Sequence, residues 1–280
     1  MKIGFIGQGF IGKNYADDFE KRGFEVVRYA LEEPYVQNKD KIRECDITFI
    51  AVPTPSTPNG FDDSIIDEAL QLIGKDNIAV IKSTILPGTT EKFQERYPGI
   101  NVLHSPEFLT EKTANYDAEY PDRNIIGYPD KQGEIMAHEV MNVLPNAGYR
   151  VIIPAKEAEM VKYGGNCWFY FKVIYMNMVY DLCKNLDINF ETVKKAMQFD
   201  PRIGPTHLDV VHQGGRGAGG HCFIKDFAAF ARLYDEVLAN DDILGASLLE
   251  LMEEKNKRLL RESGKDLDLL KGVYGKETSD

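Results

Sequence analysis

The sequence predicts an α/β chain: a Rossmann-type doubly wound parallel sheet over residues 1–154, followed by an all-α domain with a long helix over 155–271. Three observations predict it. Short apolar runs alternate with helical stretches through the first half, which implies βαβ units. A Gly-x-Gly-x-x-Gly turn follows the first run immediately. After Pro154 the pattern lengthens to helices. In order, Lys2–Ile6 reads as a strand, then a glycine turn and a helix to about Arg22. Phe24–Tyr29 and Asp46–Val52 follow as strands, the latter with the continuous apolar look of a buried parallel strand. Ile65–Ile73 reads as a helix. Ile78–Lys82, Asn101–His104, Arg123–Gly127 and Arg150–Ile153 read as further strands. Ala155 to about Lys184 is one long helix, apolar on nearly all sides, which calls for burial in a domain or an interface. Residues 190–199, 225–239 and 242–262 also read as helices, and residues 272–280 as a flexible tail.

The 280 residues are 43% hydrophobic and 28% charged, enough apolar material for one large or two ordinary domains. A net charge of −11 argues against general nucleic-acid binding, which needs a basic face. No apolar run is long enough to span a bilayer, and the N-terminus lacks the form of a signal peptide; a cytoplasmic protein with no membrane partner is expected. Cys45, Cys167, Cys183 and Cys222 form no CxxC pair, and the histidines show no metal spacing, so no metal is expected.

Gly7-Gln8-Gly9-Phe10-Ile11-Gly12 is the candidate cofactor turn. Gly7 permits the tight turn, Gly9 lets the backbone approach a pyrophosphate, and Gly12 lets the helix pack on the strand. The helix N-terminus then stabilises the anion. An acidic residue that would bind the adenosine ribose is missing from the end of the second strand, where Arg28-Tyr29-Ala30 stands. NAD is the expected cofactor; NADP stays open, with Arg28 as a partner for a 2′-phosphate.

Three later segments end strands, where ligands of such sheets bind. Val52-Pro53-Thr54 is the first, with candidate cofactor contacts. Lys82-Ser83-Thr84 opens the second. The third is Ser105-Pro106-Glu107-Phe108-Leu109-Thr110-Glu111, whose two glutamates one helical turn would place on a common face. Each segment alone could also be a solvated turn. The Gly-rich stretch from Gly214 to Gly220 then delivers Cys222, with Lys225 and Asp226 a turn later. Cationic neighbours and a helix N-terminus favour a thiolate, which a nucleophilic cysteine needs. The other three cysteines read as packing residues.

The motifs VPTPSTPNG, KSTILPGTT, SPEFLTE, PDR, EMVKYGGN, DPRIG and GGHCFIKD, in this order over residues 1–262, resemble the UDP-glucose/GDP-mannose dehydrogenase family. The resemblance implies a four-electron oxidation of a nucleotide-sugar primary alcohol to a uronic acid, with two NAD⁺ consumed. It makes Cys222 the nucleophile and Lys162 and Asn166 the donors to the oxyanion. Asp226 and Thr84 would position a water, Glu111 would serve thioester hydrolysis, and Glu107 would shape the site. Cofactor contacts extend to Thr84 and Lys225. Substrate contacts would include Phe108, Leu109, Lys162, Asn166 and Gly219, with Arg202 reaching across a homodimer. Lys162 as an ordinary charge and Arg202 as a structural cap are the blander readings. His221 either tunes the thiol or is a neutral neighbour.

The sequence departs from the family at several points. Arg216 and Ala218 stand where aromatic residues are common, and Ile224 where proline is. The usual further α/β domain for the substrate's nucleotide is not expected in this chain. A non-catalytic or partner-dependent NAD-binding subunit, or a β-hydroxyacid dehydrogenase that oxidises once, are the alternatives.

Overall fold

Residues 1–275 are described by the computed structural model. Eleven strands run in chain order: β1 (Lys2–Ile6), β2 (Glu25–Tyr29), β3 (Ile47–Ile50), β4 (Ser56–Thr57), β5 (Gly60–Phe61), β6 (Ile78–Ile81), β7 (Asn101–His104), β8 (Arg123–Tyr128), β9 (Tyr149–Pro154), β10 (Val211–His212) and β11 (Gly215–Arg216). The helices are α1 (Phe10–Lys21), α2 (Ser64–Leu70), α3 (Thr89–Arg96), α4 (Ala114–Glu119), α5 (Lys131–Val143), α6 (Ala155–Asn185), α7 (Phe190–Gln198), α8 (Gly220–Leu238), α9 (Ile243–Ser263) and α10 (Leu267–Tyr274), with a 3-10 helix over Val36–Glu44.

Two compact units are present. The first comprises Met1–Thr54 and Asp62–Lys162; the second comprises Pro55–Phe61 and the described residues from Tyr163 onward. The first holds a seven-stranded sheet in the order β2-β1-β3-β6-β7-β8-β9. Its central strands are apolar and buried on both sides, as parallel strands tend to be; Ile47–Ile50 and Ile78–Ile81 are buried throughout. The sheet is mostly parallel rather than wholly so, because β7 and β8 run antiparallel. Its core includes Ile3, Phe5, Phe19, Phe49, Val80 and Leu103, with Phe5 stacked on Phe49. The strand order reverses between β1 and β3, which lie on either side of no other strand. That switch opens a crevice beyond their carboxyl ends.

The second unit is helical, as expected of the chain after residue 154, apart from two hairpins of two-residue strands, β4–β5 and β10–β11. Tyr170 stacks face to face on Phe227, 3.8 Å between centroids, inside a cluster with Cys167, Ile174, Ala218, Leu249 and Leu259. The expected tail starts too early: residues 272–274 belong to α10, whose Leu270 and Val273 are buried with Ile224, Ala228 and Leu260. The rest of that expected tail, 276–280, lies outside the described residues. No helix among the described residues is long and apolar enough to cross a membrane.

Candidate active site

The glycine turn joins β1 to α1. Gly7 has φ +90, and a Cβ there would stand 2.2 Å from the Ala51 carbonyl oxygen at the end of β3. At Gly12 a Cβ would fall 1.9 Å from the Gly7 oxygen. Gly9 differs, since nothing lies within 4 Å of its Cβ position. Its missing side chain therefore leaves open space beside the helix N-terminus, and the turn fits a dinucleotide pyrophosphate. No side chain caps α1, and no acidic residue occupies its first turn, so its amides are left for an anion. Arg28 is engaged otherwise: its guanidinium pairs with Asp17 and Glu20 at 2.7 Å each. Two carboxylates thus already neutralise the cation considered for a 2′-phosphate.

The strand-end segments lace together across β3 and β6. Ser83 Oγ donates to the Val52 oxygen (2.6 Å) and accepts the Val52 N–H (3.0 Å). Thr54 Oγ1 donates to the Thr84 oxygen at 2.8 Å. The loop after Thr84 is fixed by Glu159 of α6, whose buried carboxylate accepts from the Gly88 and Thr90 amides and the Thr90 hydroxyl. Burial raises the Glu159 carboxyl above its ordinary range.

Beside these segments lies a buried polar cluster. Lys162 Nζ donates to the Glu107 carbonyl (2.8 Å) and pairs with Glu107 Oε1 (3.2 Å), while Glu107 Oε2 accepts the Leu109 N–H (2.8 Å). Lys162 is therefore buried and paired, and the surface-charge reading fails. Phe108 lies under the Arg123 guanidinium, 3.7 Å from its centroid. Glu111 is exposed and Glu107 buried, on a segment that is not helical before Ala114. The shared face expected for the two glutamates does not form.

Sequence reasoning treated Lys82 only as part of a polar segment. Its side chain is buried, donates to Ser105 O (3.3 Å) and Oγ (3.2 Å), and sits 4.2 Å from the Tyr15 ring centroid. Burial pulls its ammonium down to about 8; Glu107 pushes back and Lys162 adds to the lowering. His104 is wholly buried beside it, with Nδ1 on the Ile81 oxygen at 2.9 Å. A buried apolar strand end carrying polar residues is the signal that could have found both.

In the second unit, Asn166 Nδ2 donates to Asp226 Oδ2 at 2.6 Å, and Lys225 Nζ pairs with Asp226 Oδ1 at 2.5 Å. The Lys225 oxygen accepts from Ser56 Oγ at 2.8 Å. Lys162 and Asn166 are one turn apart on α6, as their spacing predicts. Helix α8 begins at Gly220, five residues earlier than expected, so Cys222 rides on its first turn rather than on the loop. Cys222 is exposed, whereas Cys45, Cys167 and Cys183 are buried. Burial pushes the Cys45 thiol up to about 11 and raises Cys167 as well.

The Gly-rich stretch is not a loose loop. Asn256 brackets Ala218, accepting its N–H (2.7 Å) and donating to its oxygen (2.9 Å). Arg216 reaches α6, where it bonds Asn177 Oδ1 (2.9 Å) and Asp181 Oδ1 (2.6 Å). A cation bound to a carboxylate thus ties the stretch to α6. Gly219 is packed against Lys265 and Asp266. Arg202 lies apart, 88% exposed, its guanidinium on Asp200. No cluster of three or more metal-ligating side chains occurs among the described residues.

Two family models match the chain. The NAD binding domain of the UDP-glucose/GDP-mannose dehydrogenase family matches residues 33–144, and the central domain of that family matches residues 156–258. A UDP-glucose 6-dehydrogenase of Rickettsia bellii is 31% identical over 330 aligned residues, covering all of this chain and 75% of its own length. That of Rickettsia conorii is 32% identical over 228 residues, covering 78% of this chain; the chain spans about half (51%) of that relative. A UDP-glucose dehydrogenase structure from Pyrobaculum islandicum superposes with a TM-score of 0.76 at 26% identity, over 92% of this chain and 68% of that one.

Proposed function

Because the chain belongs to the UDP-glucose/GDP-mannose dehydrogenase family, with its NAD-binding domain, we propose that it performs an NAD-dependent four-electron oxidation of a nucleotide sugar, in the manner of a UDP-glucose 6-dehydrogenase. The observation that carries the reading is the exposed Cys222 on the first turn of α8, with the Asn166–Asp226–Lys225 cluster one turn further along. Residues Gly7–Gly12, with Val52–Thr54, Thr84 and Lys225, are assigned to the cofactor. When bound, NAD⁺ accepts one hydride at each of two successive oxidations.

The chain's own groups do the rest. Asp226 and Thr84 position a water that takes the hydroxyl proton of the primary alcohol, leaving an aldehyde. Cys222 Sγ attacks that aldehyde carbon, forming a C–S bond, and the former carbonyl oxygen becomes an oxyanion. Lys162 and Asn166 stabilise the oxyanion as donors on one helix face, where fixed dipoles act more strongly than water. The second oxidation leaves a thioester. Water then adds to its carbon, the C–S bond breaks, and the thiol returns with release of the carboxylate. Glu111 is the acid/base for that step, and Glu107, by pairing with Lys162, holds the donor in place. Phe108, Leu109 and Gly219 contact the sugar nucleotide in this reading, and Arg202 reaches it across a homodimer. A cytoplasmic setting accompanies it.

A panel of UDP- and GDP-sugars with NAD⁺ and NADP⁺ tests the proposal. About two NADH per sugar are expected, and Cys222→Ser should stop at the aldehyde. One NADH per substrate with Cys222 dispensable would mean a single-step dehydrogenase. NAD binding without turnover by the isolated chain would mean a partner-dependent subunit.

A further inference from the structure

The turn that carries Cys222 is built with an unusual division of labour. Helix α8 receives no cap from its own N-terminal residue, which is Gly219, and has no acidic residue in its first turn. The cap comes instead from the segment between α9 and α10. Asp266 Oδ2 accepts the Gly220 N–H at 2.7 Å. Lys265, itself buried, donates from Nζ to the Gly217 oxygen at 3.1 Å. The pair also explains Gly219: a Cβ there would meet Asp266 Oδ2 at 2.1 Å and Lys265 Cε at 2.6 Å.

The segment is locked in turn. Gly264 closes α9 in the left-handed region, the Lys265 amide donates to the Leu260 oxygen at 2.9 Å, and Asp266 holds φ +54. Aspartate tolerates that conformation better than most residues. Behind it, α10 packs Leu270 and Val273 onto Ile224 and Ala228 of α8.

We propose that the Lys265–Asp266 pair is a positioning element for Cys222, which fixes the first turn of α8 and balances the charge at that helix end. The carboxylate replaces a missing side-chain cap but brings a negative charge within one turn of the thiol. The ammonium offsets that charge. Asp266 bonds the Gly220 N–H and Lys265 the Gly217 oxygen, so both act through the backbone and field of α8. The inference rests on reading Cys222 as the nucleophile.

Alkylation of the whole chain by iodoacetamide at pH 7.5, followed at Cys222 by peptide mass, tests it. The other three cysteines are buried, and Cys222→Ser sets the background. Charges in a helix's first turn change thiolate stability by a small factor, so Asp266→Asn, which keeps an acceptor but loses the charge, should alkylate about two- to fivefold faster. Lys265→Met should alkylate slower by a similar factor, and Lys265→Arg should match the wild type. Shifts of both charge-removing variants in one direction, as simple loosening would give, overturn the proposal, as does no shift in either. Should Lys265→Met fail to fold, a rate for Asp266→Asn at or below wild type is enough to overturn it. The measurement reads the thiol without turnover. Failure to oxidise any nucleotide sugar would therefore undo the functional reading while leaving the alkylation result intact.

Discussion

His104 ends β7 with its ring wholly buried, one nitrogen on the Ile81 oxygen and the other, Nε2, without a partner. Burial, aided by the nearby Lys82 and Lys162 cations, holds its pKa down to about 3, and the bond to Ile81 only partly opposes this. An unfolded histidine titrates near 6.5. Between those values the unfolded chain binds a proton that the folded chain does not. Stability therefore falls as pH drops through that window and is fully present above it. At pH 5 the loss from this one group is about 2 kcal/mol relative to pH 7. His104→Asn keeps an N–H for Ile81 and cannot titrate. Urea midpoints at the two pH values should show the wild type losing that increment relative to the variant; equal losses would show that His104 is not the group involved. Lys82, two residues before Thr84, shares with His104 a signal that sequence reasoning passed over. Each is polar at a strand end, and only the folded sheet brings Tyr15, Ser105 and Glu107 around them.

At the scale of elements, the turn between β1 and α1 separates two uses of glycine. Gly12 is required by the fold, because its Cβ position is only 1.9 Å from the Gly7 oxygen. Gly9 faces empty space. Gly12→Ala should therefore lower the melting temperature as well as NAD binding. Gly9→Ala should melt within a degree or two of wild type yet bind NAD at least tenfold more weakly, since the methyl would occupy the pyrophosphate's approach. Calorimetric titration and thermal melts together separate the two; full NAD affinity in Gly9→Ala would remove the turn from the cofactor site. This turn was legible because its logic is local: a strand, three glycines and a helix within a dozen residues. Helix α6 was legible for a similar reason, as a run of 31 residues free of proline. Helix α5 was missed although Asp130 caps it by accepting the Gly133 N–H, and Ala137, Val140 and Met141 mark its buried face. Its cap was the overlooked signal. The start of α8 was placed too late because Gly219 and Gly220 look like loop, whereas the acid that caps the helix comes from Asp266, 46 residues on.

For the whole molecule, the apolar surface of α6 has a consequence for assembly. Its buried side serves Cys167, Tyr170 and Ile174, but Trp168, Tyr175 and Leu182 recur at seven-residue spacing and are 62%, 58% and 61% exposed, with Met178 between them. A seven-residue apolar repeat on one helix is the pattern that packs against a second helix, and large aromatic residues left in water mark interfaces. A second copy of this chain is the partner proposed here, since closed two-fold pairs are the commonest assembly. Trp168→Glu should then convert a dimer into a monomer in sedimentation at micromolar concentration. The same assembly gives Arg202 its test. Its guanidinium is exposed and, among the described residues, is held by Asp200. Arg202→Ala and Cys222→Ser chains should each be inactive alone. Unfolded and refolded together, half of the dimers would be mixed, and each mixed dimer would hold one intact site if Arg202 acts across the two-fold. Activity should then recover to about a quarter of wild type. An arginine serving its own chain would leave both sites of every mixed dimer defective, and the mixture as inactive as its parents.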